Sequence, residues 1–239
     1  MKMEKKLKKT ITCIAFVLIM IAGIRLAIRP SETVVHDDIA VLASTEDIPL
    51  TLSHHESLSY LVLVNRHFRL ANDFAPDDLT AVNVSSINGE HLLRSTAAKA
   101  AETLFSEAAK EGYMLLATSG YRSFTYQESR HNHWIKVLGL EEARRISARP
   151  GHSEHQLGLA LDLSTHALGG YLVESFSVTP EGVWVRNNAH RFGFIIRYPQ
   201  NREADTGFAY EPWHIRYVGV EAATEIFNNG QILEEFLGD

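Results

Sequence analysis

From Pro150 to Asp162 the chain reads PGHSEHQLGLALD, and the rest of the sequence has to fold around what this stretch brings together. The imidazole of His155 and the carboxylate of Asp162 stand seven residues apart, and Gly151 and Gly158 let the backbone bend and approach closely. A second such group lies near the end of the chain, Glu211-Pro212-Trp213-His214, where Pro212 rules out an ordinary helix interior. Taken singly, His155 or His214 fits an ordinary packed histidine as well as a ligand. Two histidines and one carboxylate together make the ligand set of a catalytic zinc centre, whose fourth position is kept for a water with its pKa lowered toward ~7. The remaining carboxylate is then a candidate base. Residues three apart on a regular strand face opposite sides, so Glu211 and His214 can serve one site only if the chain bends between them.

At 239 residues the chain is long enough for one well-buried domain and short for two. Its formal charge of −6 hides an asymmetry, since residues 1–29 carry seven Lys and Arg against Glu4 and the body after them is strongly acidic. An acidic body without a stripe of Lys and Arg argues against nucleic-acid binding, which needs clustered positive charge. The basic end suits a membrane instead. Ile11 to Ile24 is an almost unbroken apolar run behind a cluster of lysines, and with Arg25 snorkelling it extends to Ile28, close to the ~20 residues of a membrane span. No small-x-small cleavage site is clear after it, so residues 1–29 are expected to be a single-pass anchor with the body outside the cytoplasm, the alternative being secretion after signal cleavage. Residues 30–57 read as a linker and 58–239 as the exported domain. The one cysteine, Cys13, lies in the apolar run, so disulfides do not stabilise that domain.

Periodicity supplies the elements. Tyr60–Val64 is expected to be the first strand, and Ser95–Gly112 a helix capped by Ser95 and ended by Gly112. Tyr113–Ala117 should be a strand that delivers Arg122 to a turn. Helices are expected over Phe124–Leu138 and Glu141–Ala148, with His131 and His133 on polar faces and too poorly spaced to share a metal. Strands follow at Gly158–Leu163, Phe192–Tyr198 and Trp213–Val218, a short helix at Trp184–Arg191, loops at 164–182 and 200–210, and one or two helices at Glu221–Phe236. Helices and strands do not alternate strictly, which predicts an α+β fold.

Three motifs stand in order: Ser119-Gly120-Tyr121-Arg122-Ser123 with Gln127, then Ser153-x-His155-x-x-Gly158-x-Ala160-x-Asp162, then Glu211-Pro212-Trp213-His214. From about Tyr60 to Val220 the chain resembles the VanY-type zinc D-alanyl-D-alanine carboxypeptidases, a group that includes related L,D-carboxypeptidases of peptidoglycan. The resemblance implies a small antiparallel sheet with flanking helices, the zinc D,D-peptidase or Hedgehog-like fold. It further implies Zn²⁺ held by His155, Asp162 and His214, with Glu211 as general base and then acid. Arg122 would steady the oxyanion or the substrate carboxylate, and Ser153 and Gln127 would touch substrate. The implied reaction removes the C-terminal D-alanine of peptidoglycan stem peptides by D,D-cleavage. L,D-cleavage of tetrapeptide stems and a catalytically silent zinc-containing wall-binding module are the alternatives, and nothing in the sequence points to a protein partner.

Overall fold

The computed structural model describes residues 59–238, together with the backbone of the two-residue strand β1 (Ile48–Pro49). The apolar run Ile11–Ile28 and nearly all of the expected linker lie outside these residues. Among the described residues no helix is long and apolar enough to cross a membrane.

After β1 come β2 (Phe68–Arg69), β3 (Leu79–Ala81), β4 (Leu92–Arg94), α1 (Ser95–Lys110), β5 (Leu115–Ser119), α2 (Phe124–Leu138) and α3 (Leu140–Ile146). The second half holds β6 (Ala160–Thr165), α4 (Pro180–Asn188), β7 (Phe194–Tyr198), α5 (Glu203–Thr206), β8 (Glu211–Tyr217), α6 (Val220–Asn229) and α7 (Leu233–Leu237). β5, β6, β8 and β7 form a four-stranded sheet in that order, with every pairing antiparallel. The α+β class and the small antiparallel sheet expected from the sequence are therefore present.

Side-chain alternation gives this sheet two unlike faces. Leu161, Leu163, Ile215 and Tyr217 join one core cluster with Ala97, Ala101, Leu104 and Ala108 of α1, whose alanines allow the helix to approach closely. The residues between them, Asp162, His214 and Arg216, point to the opposite face and are also buried. A polar set is thus placed on a rigid, well-packed support.

Several expectations need correction. Tyr60–Val64 is not a strand, because the carbonyls of Tyr60 and Val62 accept from Arg216 Nη2 at 2.9 and 2.8 Å in place of a neighbouring strand. Ser95 is the first residue of α1 and not its cap; its hydroxyl donates to Asp78 Oδ2 at 3.3 Å. His131 is buried, because the chain after α3 packs over that part of α2. The expected loops 164–182 and 200–210 contain a 3-10 turn at Glu174–Val178 and the short α5.

Candidate metal centre

Asp162 and His214 are direct cross-strand partners on β6 and β8, which places their side chains on the same face. His155 reaches them from a 3-10 turn, Glu154–Leu157, ended by Gly158 in the left-handed conformation at φ 66°. A Cβ on Gly158 would stand 2.8 Å from Leu79 Cδ2 and 3.1 Å from Arg94 Cγ, so both the dihedral and the space require glycine. One ligand atom from each of His155, Asp162 and His214 lies within 4.8 Å of the others, and all three residues are buried. His155 Nε2 is 3.3 Å from Asp162 Oδ2, and His214 Nδ1 is 3.0 Å from Asp162 Oδ1.

The bend between Glu211 and His214 is present. Ile196 pairs with Ile215 and Tyr198 with Glu211, so a two-residue step on β7 matches a four-residue step on β8. The surplus forms a bulge that re-aims Glu211, whose Oε2 lies 3.7 Å from His214 Nδ1.

Hydrogen bonds set the imidazole orientations. His155 Nδ1 lies 2.7 Å from the carbonyl of Gly120, which can only accept, so Nδ1 carries the proton and Nε2 presents its lone pair. That Nε2 is buried and has no hydrogen-bond partner. His214 turns Nδ1 toward Asp162 and Glu211, and its Nε2 faces back to Glu154 Oε2 at 3.5 Å.

Burial, reinforced by the nearby Arg122, pushes His155 down to about 4. For His214 burial acts in the same direction, but the hydrogen-bonded carboxylate of Asp162 and the nearby carboxylate of Glu154 overcome it and raise the pKa to about 9. Burial opposes ionisation of Asp162, yet His155 and His214 hold its carboxyl well below the usual range. The carboxylates therefore draw positive charge to this spot, the electrostatic condition for a divalent cation. Two imidazoles and a carboxylate, with one imidazole lone pair unclaimed and its outer nitrogen already fixed, are a donor set that fits Zn²⁺.

Beside the cluster a cavity of about 320 Å³ is lined by Glu211, Arg122, Gln127, Ser153 and the three candidate ligand residues His155, Asp162 and His214. Burial pushes the Glu211 carboxyl up to about 7, against the lowering effect of His214. Arg122 stands 3.9 Å from Asp162 and makes only long contacts, 3.4 Å to Ser119 Oγ and 3.5 Å to Ser153 Oγ, and its Nε has no partner. Gln127 donates to the Ala148 carbonyl at 2.7 Å, which leaves its buried Oε1 without a partner. All seven residues singled out in the sequence thus meet at one place. Leu172 and Glu174 from 164–182 and Phe208, Ala209 and Tyr210 from 200–210 form walls.

Sequence reading passed over Arg130 and Trp134, which line the cavity with Gln127 at i, i+3 and i+7 of α2, a spacing that could have revealed them. It also passed over Glu154, whose partners are far away in sequence. His152, beside the second motif, lies off the cluster with Nδ1 2.8 Å from the carbonyl of Asn65.

A small antiparallel sheet that holds a buried two-histidine, one-carboxylate centre, with a further carboxylate at the rim of a cavity, is the arrangement of a metal-dependent hydrolase. Residues 90–220 match the VanY family, D-alanyl-D-alanine carboxypeptidase, and the chain belongs to that family. It is 43% identical over 190 residues to the putative carboxypeptidase YodJ of Bacillus subtilis (strain 168), an alignment spanning 78% of this chain and 69% of that protein. The solved LdcB LD-carboxypeptidase is 42% identical with a TM-score of 0.73, over 77% of this chain and 87% of that one. A mutant of the vancomycin-resistance D,D-pentapeptidase VanY, in complex with Zn(II), is 32% identical with a TM-score of 0.62, over 74% of this chain and 98% of that one.

Proposed function

We propose that this protein is a zinc carboxypeptidase that releases the C-terminal D-alanine of peptidoglycan stem peptides. The observation that carries this reading is the convergence of the three candidate ligands with Glu211, an Arg122 held only by long contacts and the partnerless Gln127 Oε1 on one cavity. A purely structural zinc site needs neither a spare carboxylate nor a cation aimed at the same space, which disfavours a silent binding module.

When bound by His155, Asp162 and His214, zinc supplies a Lewis acid for the scissile carbonyl and eases ionisation of water. Glu211 takes a proton from the attacking water at its carboxylate and passes it to the amine nitrogen of the departing D-alanine. Arg122 offers N–H donors for the developing oxyanion or the terminal carboxylate, and Ser153 and Gln127 orient the peptide.

The bond cut is the finer question. Likeness to LdcB, at 42% identity and a TM-score of 0.73, exceeds likeness to the D,D-pentapeptidase VanY, at 32% and 0.62. It favours L,D-cleavage of tetrapeptide stems over the D,D-cleavage expected from the sequence. The description of the matching family, D-alanyl-D-alanine carboxypeptidase, keeps D,D-cleavage as the second reading.

Purified protein with one zinc should release one D-alanine per stem peptide, stop when a chelator removes the metal, and resume when zinc is restored. Activity that survives complete metal removal would refute the zinc reading. The proposed place of action is the outer face of the cytoplasmic membrane, with Ile11–Ile28 as the anchor. Fractionation checks this: full-length protein should sediment with membranes, and recovery solely as a shortened soluble form would show a cleaved signal.

A further inference from the structure

We infer that Glu154 is a positioning residue for the metal ligand His214, fixed by two buried arginines, one of which, Arg197, ties the metal centre to the C-terminal helix. The inference rests on the zinc-site reading above and goes beyond it. Glu154, Arg197 and Arg216 are 1%, 0% and 0% exposed. Arg197 Nε and Arg216 Nη1 both donate to Glu154 Oε1, at 2.7 and 2.6 Å. Oε2 is buried without a hydrogen-bond partner, and the nearest candidate is His214 Nε2 at 3.5 Å, which also lacks one. Each of the two unpaired atoms faces the other.

The arginines are themselves held. Arg216 Nη2 donates to the carbonyls of Tyr60 and Val62, and its Nε donates to that of Tyr217. Arg197 makes a two-pronged pair with Glu234 on α7, at 2.9 and 2.6 Å. Two carboxylates and two guanidiniums balance, so an anionic acceptor is offered to His214 without net charge in the network. A histidine that ligates a metal through one nitrogen is commonly oriented, and made more basic, by a carboxylate on the other N–H. With Nδ1 on the Asp162 side, the Nε2–H of His214 is directed at Glu154. His155 is arranged differently, with the neutral carbonyl of Gly120 as its outer partner. A role limited to neutralising the arginines would not require Oε2 to face the imidazole.

Two measurements separate the possibilities. Glu154→Gln, checked for folding by circular dichroism, should bind zinc ten- to a hundredfold more weakly in competition with a chelating dye. Glu234→Gln, which disturbs the far end of the network, should lower the melting temperature and leave zinc affinity within threefold of wild type. A folded Glu154→Gln protein with unchanged affinity overturns the inference, as does an equal loss in both variants. The second measurement needs no substitution: in ¹⁵N-histidine-labelled wild type loaded with ¹¹³Cd, the metal should couple to Nδ1 of His214, with a slowly exchanging proton on Nε2. Coupling to Nε2, or no proton there, overturns the inference whether or not Glu154→Gln folds. Wild type that takes up neither zinc nor cadmium overturns the metal reading along with it.

Discussion

In the proposed mechanism Glu211 answers to two opposed demands, since turnover would need it ionised beside the candidate ligands and burial works against that charge. Its pKa stands at about 7 in the metal-free protein against an ordinary value of 4.5. Between those values the folded state holds a proton that the unfolded chain releases. The contribution to stability is therefore complete below the unfolded value and is lost as pH rises through about 7. Glu211→Gln removes the ionisation. The metal-free variant should be more stable than wild type above pH 7, by up to about 3 kcal/mol, and gain nothing near pH 4. Urea denaturation in chelator at the two pH values reads this directly, and an equal effect at both would point to packing instead of charge. The same variant loaded with zinc should lose about 10²–10⁴ of turnover, because the proposed proton-transfer group is gone. Near-normal activity would place the base elsewhere.

The turn Glu154–Leu157 shows how an element's geometry becomes metal geometry. Gly158 ends it at positive φ, and its carbonyl accepts the Arg94 N–H at 2.8 Å, which ties the turn to β4. Gly158→Ala should cost about 1–3 kcal/mol from the left-handed backbone and the clash with Leu79, and weaken zinc binding by displacing His155. An unchanged urea midpoint and zinc affinity would show that the turn tolerates the Cβ. The signals that made elements legible in the sequence were local. α1 and α2 followed from helical period and their stops, and the candidate ligand set from three ordered motifs whose resemblance to the VanY-type family assigned it. What escaped was set at long range. Tyr60–Val64 has the composition of a strand, yet its carbonyls are claimed by Arg216 from the far end of the chain. Glu154 sits between two recognisable motif residues, but its arginines are 43 and 62 residues away. The bulge in β8 that aims Glu211 was a stated requirement that only the register with β7 could meet.

Choice of substrate depends on how far the cavity extends past the reacting bond. A D,D-enzyme must place a methyl group on the acyl side, whereas an L,D-enzyme must place the longer side chain of a diamino acid. The cavity continues along α2 from Gln127 to Trp134 and on to Ile146, a helical rise of about 10 Å over seven residues. Two alanine residues span only about 7 Å when extended. Trp134 and Ile146 offer apolar surface for a methylene chain, and Glu174 and Arg130 supply charges of both signs for what it carries. This room supports the L,D reading. One methylene well or badly placed changes transition-state binding by ~1–3 kcal/mol, so several should give the matching stem at least a tenfold advantage in kcat/KM. Incubation with defined tetrapeptide and pentapeptide stems, followed by mass spectrometry, should show tetrapeptide converted to tripeptide while pentapeptide persists. Loss of a single alanine from the pentapeptide, with tetrapeptide left intact, would reverse the assignment to D,D. Trp134→Ala sharpens the test, because it should slow tetrapeptide cleavage and leave zinc content unchanged if the aromatic wall holds the diamino-acid side chain.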